Sequence, residues 1–313
     1  MRLGFAVKVL GGGGLASHDA RRWQAGPHLR VSLVRLAAIF EYMATNDLRM
    51  YRIASALAPY ASHPELPQFH SQLEECRPEL AAVGARAREL GIRLSSHPGQ
   101  YTVLNSEHSS VVDNAVAELE VQAALLDGLR QGPEAVVVIH VGGSAGGRGA
   151  AADRFSTGFE RLSERARARL VLENDDRIFG LADVLPLSRR LGVPVVWDFL
   201  HHRCHDPEQI PDREALELSL ATWPSGVTPK IHFSSPRLNL GERRRKVGRR
   251  IERTPLLPDL RLHADLIDPI AFEQFLRYTA RDLSFDVMLE AKAKDLAVLR
   301  LREQLEERGL VTG

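Results

Sequence analysis

Val136-Val137-Val138-Ile139-His140 is an apolar, β-branched run that ends on an imidazole. A short continuous apolar run of this kind suits a strand buried on both faces, as in a parallel sheet. The same construction recurs along the chain. Leu170-Val171-Leu172 ends on Glu173, Val195-Val196-Trp197 on Asp198, Lys230-Ile231 on His232 and Val287-Met288-Leu289 on Glu290. Ile92-Arg93-Leu94-Ser95-Ser96 ends on His97, and Leu48-Arg49-Met50-Tyr51-Arg52-Ile53 is followed, at the end of a loop, by His63. Arg2-Leu3-Gly4-Phe5-Ala6-Val7 completes a set of eight. A parallel barrel gathers the C-terminal ends of its strands around one mouth. Side chains far apart in sequence would then meet in one cluster.

Between these runs lie amphipathic segments, predicted as helices near 29–46, 66–90, 109–130, 152–168, 180–191, 212–221, 268–282 and 293–308. Gly91 and Gly192 stand where helix C-caps are expected, just before strands. Strands alternating with helices of this length imply a parallel sheet, and eight such units fit a (β/α)8 TIM barrel. Residues 1–313 are expected to form one barrel domain with an arginine-rich insertion near 236–258. The glycine-rich stretch 142–147 lacks the Lys-Ser/Thr of a phosphate-binding P-loop and is expected to be a flap, not a nucleotide site.

Bulk composition excludes several classes. The chain is 44% hydrophobic and 26% charged, with a net charge of +1. It has no apolar run of transmembrane length and no signal-peptide pattern, so no membrane partner and a cytoplasmic location are expected. Cys76 and Cys204 make neither a disulfide framework nor a cysteine-rich zinc site. Of 41 Lys and Arg residues only Lys8, Lys230, Lys246, Lys292 and Lys294 are lysine. A lysine at the start of a barrel strand, as at Lys230, is therefore of interest.

The candidate metal ligands are His63, His97, His140, His201, His232 and His263 with the carboxylates Glu173, Asp198 and Glu290. Imidazole and carboxylate together suit zinc or manganese. Three carboxylates at one mouth would repel each other without cations, which implies more than one ion. Glu173, on the fifth strand, is placed to bridge two of them. Asp198-x-x-His201 puts two ligands on one turn, and Lys230 and His232 share a strand face.

In order along the chain, several blocks resemble the UV damage endonucleases. They are Tyr51-Arg52-Ile53-Ala54-Ser55-Ala56-Leu57-Ala58-Pro59 with His63, then Ser95-Ser96-His97-Pro98-Gly99-Gln100-Tyr101 and Ile139-His140. Leu172-Glu173-Asn174-Asp175-Asp176, Trp197-Asp198 with His201-His202, Lys230-Ile231-His232-Phe233-Ser234 and His263-Ala264-Asp265 follow. The resemblance implies a TIM barrel related to endonuclease IV that nicks duplex DNA immediately 5′ to UV photoproducts, leaving a 3′-hydroxyl and a 5′-phosphate. It implies two or three divalent ions, manganese first with zinc or another ion as the alternative, and a carboxylated lysine at Lys230. It also assigns Gln100 and Tyr101 to probing the lesion. Phe5 falls where the family usually has a Tyr near the lesion. Val7-Lys8-Val9-Leu10 lacks the family's Asn, and Ala54 stands where Ser is common.

The chemistry is consistent with that resemblance. Phosphodiester hydrolysis needs an activated water, neutralised phosphoryl oxygens and a stabilised leaving alkoxide, all within reach of a metal cluster. Glu173 and Lys230 are the candidate catalytic residues. An ammonium beside divalent cations is disfavoured. A desolvated neutral amine can add CO2 to give a carbamate ligand, which Arg cannot; a lysine on the scissile phosphate is the alternative. Gln100, Tyr101, Phe5, Arg243, Arg244 and Arg245 are the candidate DNA contacts, and a monomer acting on UV-damaged duplex is expected. The rival functions are an abasic-site endonuclease of the endonuclease IV kind, a metal-dependent sugar isomerase, and a barrel that binds DNA without cutting it.

Overall fold

The computed structural model describes residues 1–247 and 250–310, apart from the side chains of Arg244 and Val247. The barrel strands are β1 (Leu3–Ala6), β2 (Met50–Arg52), β3 (Arg93–Ser95), β4 (Val137–His140), β5 (Leu170–Glu173), β6 (Val195–Val196) and β7 (Lys230–Phe233). A separate hairpin, β8 (Gly241–Val247) with β9 (Arg250–Leu256), precedes the last barrel strand, β10 (Asp286–Leu289). Strands β3-β2-β1-β10-β7 form one parallel sheet and β4-β5-β6 another. Two single parallel bridges, Ser96 with Val137 and Asp198 with His232, join the sheets at both seams. The circle is thereby closed, and the fold is the expected (β/α)8 TIM barrel.

Strand alternation decides what faces the barrel interior. The ligand positions His140, Glu173, Asp198, His232 and Glu290 point inward, and so do the residues two before each of them. Val136, Val138, Val171 and Val196 form an inner apolar cluster with Trp223, and Ala6, Met50 and Met288 form a second. The floor is polar: Arg93 Nη1 donates to Asp286 Oδ2 at 2.9 Å, and the Arg2 amide donates to Asp286 Oδ1 at 2.8 Å. The guanidinium of Arg93 also lies over the Trp223 ring, 5.7 Å from its centroid. Outward-facing strand residues pack with the helices in the main core, which includes Phe5, Tyr51, Leu94, Leu172 and Phe233.

The helices are α1 (Leu29–Thr45), α2 (Gln72–Glu75), α3 (Arg77–Glu89), α4 (Ser109–Gly128), α5 (Arg148–Glu160), α6 (Glu164–Arg169) and α7 (Leu181–Leu191). After them come α8 (Phe199–Cys204), α9 (Asp212–Leu220), α10 (Pro269–Gln274) and α11 (Lys294–Glu307). Three expectations are corrected. The helix expected over 66–90 is broken before α3, where Pro78 sits in the first turn and favours a fresh start. The one expected over 152–168 starts earlier and divides at Ser163, whose hydroxyl accepts the Ala166 amide at 3.2 Å and caps α6. The arginine-rich insertion contains a strand pair, not only a loop. The 142–147 stretch is pinned: Asn105 Nδ2 donates to Gly143 O at 2.6 Å, and Arg154 Nη2 to Ala145 O at 2.6 Å. No helix among the described residues is long and apolar enough to cross a membrane.

Candidate metal centre

Glu173 stands at the centre of the barrel mouth, and both of its oxygens are engaged. Oε2 lies 2.9 Å from His97 Nε2 and 3.5 Å from His140 Nε2. Oε1 lies 2.7 Å from His232 Nδ1 and 3.7 Å from His201 Nδ1. Glu290 completes the far side, with Oε1 3.4 Å from His232 Nδ1 and Oε2 3.6 Å from His263 Nδ1. Three sets have ligand atoms close enough to share one ion: His97, His140 and Glu173; Glu173, Asp198 and His201; and Asp198, His232 and Glu290. Glu173 and Asp198 each belong to two sets.

Local structure orients these groups. Asp198 is the N-cap of α8, its Oδ1 accepting the His201 amide at 2.7 Å. That cap explains the Asp198-x-x-His201 spacing, since an N-cap bonds the third residue of its helix. Asn174 fixes the loop from behind, donating to Asp198 O at 3.1 Å and accepting the Asp198 amide at 2.8 Å. His201 Nδ1 lies 3.0 Å from Asn174 O, and His97 Nδ1 3.0 Å from Pro98 O. A carbonyl only accepts, so these contacts put a proton on Nδ1 and make Nε2 the ring nitrogen with which each could hold an ion.

The donor set fits cations on a second ground. Asp198 Oδ2, His140 Nδ1, His232 Nε2 and Lys230 Nζ are buried with no hydrogen-bond partner. Such orphaned groups are rare in a folded interior. The electrostatics show the same strain. Burial opposes ionisation of Glu173, yet His232, His140 and His97 outweigh it and hold the carboxyl well below the usual range. Asp198, buried beside Glu173 and Glu290, is pushed up to about 7. His201 is buried too, but Asp198 and Glu173 raise it to about 9. Burial lowers His232 to about 4 and also lowers His140 and His263. The mouth holds more negative charge than its imidazoles neutralise comfortably.

Seven of the nine proposed ligands therefore fall into shared sets. His263 belongs to no set among the described residues, with Glu290 3.6 Å away and the His201 ring at 6.2 Å. His63 belongs to no set among the described residues. Its Nδ1 accepts the Glu65 amide at 3.2 Å, and its ring lies edge-on to Tyr60. Lys230 is fully buried below His232, and burial, with Arg93 and Arg52 nearby, pushes its ammonium well down. Gln100 and Tyr101 are the central residues of a turn closed by the Thr102 amide on Gly99 O at 2.9 Å, and Tyr101 is 83% exposed.

Phe5 is a correction. It has 0% exposure and packs at 5.2 Å against Tyr51, so it offers no face to a duplex. Strand alternation is the reason: Gly4 and Ala6 face the barrel interior, and Phe5 between them faces the helices. Arg243 and Arg245 are exposed on β8, whereas the Arg244 side chain and Arg249 lie outside the described residues. Two residues went unrecognised in the sequence. Arg52 hydrogen-bonds Glu290 Oε1 through Nη1, and its signal was its own place at a strand end. Asn174 carries no signal beyond following Glu173.

The UV-endonuclease UvdE family model matches residues 29–312. A UV DNA damage endonuclease of Bacillus pumilus (strain SAFR-032) is 30% identical over 281 residues, covering 88% of this chain and 81% of that protein. The one of Bacillus cereus (strain G9842) is 29% identical over 279 residues, with the same shares covered. The solved structure described as "Crystal Structure of SacUVDE" superposes with a TM-score of 0.81 at 28% identity, covering 99% of this chain and 100% of that one. A D-psicose 3-epimerase from Clostridium cellulolyticum H10, at 13% identity and a TM-score of 0.55, covers 100% of both chains and shares the fold alone.

Proposed function

The chain belongs to the UV-endonuclease UvdE family of DNA repair endonucleases, and we propose that it cuts duplex DNA immediately 5′ to UV photoproducts, leaving a 3′-hydroxyl and a 5′-phosphate. The observation that carries this reading is Glu173, whose two oxygens serve two ligand sets at once. The three sets fit two or three divalent ions, manganese first and zinc as the alternative. When bound, such ions lower the pKa of water, neutralise phosphoryl oxygens and hold attacking and leaving oxygens in line.

The chain's own residues prepare that site. Glu173 stays ionised against burial, and Asp198 is held by its cap and by Asn174. Arg52 fixes the Glu290 carboxylate. Lys230 is the candidate for carboxylation. Burial favours its neutral amine, which adds to CO2 with loss of one proton to give an anionic carbamate. His63 and His263 would be outer ligands.

Recognition falls to other elements. The exposed Gln100-Tyr101 turn beside His97 is placed to probe a damaged base pair, Tyr101 by stacking and Gln100 by hydrogen bonding. Arg243, Arg245 and Arg250 on the hairpin supply cations for the backbone. A two-stranded ribbon is also a shape that the major groove admits. We read the whole chain as one barrel domain that acts as a cytoplasmic monomer.

The test is a nicking assay on otherwise identical duplexes carrying a cyclobutane dimer, an abasic site or no lesion, with the ends identified. The expected result is a single nick 5′ to the dimer with a 3′-hydroxyl. Cutting confined to the abasic site would assign the rival endonuclease activity. No cutting of any duplex would end the reading.

A further inference from the structure

A cavity opens beside the metal centre at the C-terminal ends of β2 and β10, against residues 261–263. Its volume is about 280 Å³, and it is lined by Arg52, Arg261, His263, Glu290, Lys292 and Lys294 among others. Four of these six are permanent or near-permanent cations. Glu290 is the one carboxylate lining it, and Glu290 also belongs to a ligand set. Arg52 spends one Nη on Glu290, and Arg261 is partly satisfied by Asp176 and Asp259. Among the described residues neither Lys292 nor Lys294 pairs with a carboxylate. In a chain with five lysines, two unpaired ones line this one cavity.

The lysines are fixed there. Lys294 has a φ of 54°, the left-handed region that side chains with a Cβ avoid. Three backbone bonds hold this turn: Lys292 N to Ala264 O at 3.0 Å, Ala293 N to Asp265 O at 2.9 Å and Lys294 N to Ala291 O at 3.2 Å. The turn brings two cations to a cavity that already holds Arg52, and the one carboxylate lining it, Glu290, is bonded to Arg52. The half-buried Lys294 ammonium is lowered by burial first and by Arg52 next, with Glu290 opposing both. Because the cavity shares Glu290 and His263 with the metal centre, an anion held there would lie next to the reacting group.

We propose that this cavity seats a backbone phosphate of the cleaved strand adjacent to the scissile one. Arg52, Lys292 and Lys294 would be its positioning residues. This rests on the endonuclease reading and adds to it a second phosphate contact that sets the register of the strand over the metals.

The experiment uses dimer-containing duplexes in which each phosphate flanking the scissile bond is replaced, one at a time, by an uncharged methylphosphonate. Binding and cleavage are measured for the wild type and for Lys292→Ala/Lys294→Asn, Asn being chosen because it tolerates a positive φ. Metal content and thermal unfolding of the variant are followed in parallel, and the exposed Lys292→Ala single variant stands in should the double variant fail to fold. The wild type should lose about tenfold in affinity at one flanking position. The variant should lose as much on unmodified DNA and nothing further at that position. Its salt dependence of log K should flatten by about 1, with metal content unchanged. A variant that loses as much as the wild type at every neutralised position would overturn the proposal. A wild type that binds and cuts no damaged duplex would instead fail the endonuclease reading itself, and the inference with it.

Discussion

Replacing Lys230 by methionine should make the metal-free protein more stable, not less. Lys230 is fully buried, its Nζ has no partner, and its nearest charges include Arg93 and Arg52. Methionine keeps the volume and removes the charge. Swapping buried ionic groups for apolar ones of similar size commonly gains about 1–4 kcal/mol, and an unpaired ammonium belongs at the upper end. The pH dependence fixes the cause. The folded pKa of Lys230 is depressed, so between it and the unfolded value the unfolded chain binds the extra proton. Wild-type stability should therefore rise with pH through that window by about 1.4 kcal/mol per pH unit. The advantage of Lys230→Met is then greatest below the depressed pKa and shrinks as pH approaches the usual lysine value. Urea denaturation of both proteins, stripped of metal and in CO2-free buffer, from neutral to alkaline pH, reads this difference directly. Equal stability with parallel pH profiles would refute the reasoning, and with it the neutral amine that carboxylation requires.

Asp286→Ala leaves Arg93 buried without its counter-charge and should cost about 3–5 kcal/mol in urea denaturation; a loss below about 1 kcal/mol would show that water reaches the barrel floor. Glu173→Gln keeps the shape but removes the charge shared by two ligand sets, so elemental analysis should find fewer ions per chain and nicking should fall with them. Full metal content and wild-type rate would move the centre away from β5. Removing both Gln100 and Tyr101 side chains should weaken binding to dimer-containing duplex by roughly 1–3 kcal/mol and leave undamaged duplex nearly unaffected. An equal loss on both would make the turn a general contact.

The barrel was legible because its strands are short, apolar and punctuated by ligands. That pattern survives without any knowledge of packing. The position of Glu173 was legible for the same reason, since the fifth strand lies centrally among the ligand-bearing ones. Helix interruptions were not, because the break before Pro78 and the cap at Ser163 are local events inside a continuous amphipathic pattern. Phe5 was misplaced because the family resemblance supplied a role, while the two-residue alternation of its own strand, read on its own, points the ring at the helices. Arg52 was passed over because an arginine at a strand end is no metal ligand; its meaning comes from Glu290, which arrives from the other end of the chain. The strand pair inside the arginine-rich insertion was not legible, because its arginines mask any alternation between polar and apolar residues.

The central claim is that the cluster around Glu173 performs the hydrolysis. Its most direct test is a titration of Mn²⁺ into metal-stripped protein, with nicking of a dimer-containing duplex as the readout and bound metal counted at each point. Stripped protein should not nick, and activity should return in step with the ions and saturate at two or three per chain. Full nicking by protein verified to hold no metal would contradict the account.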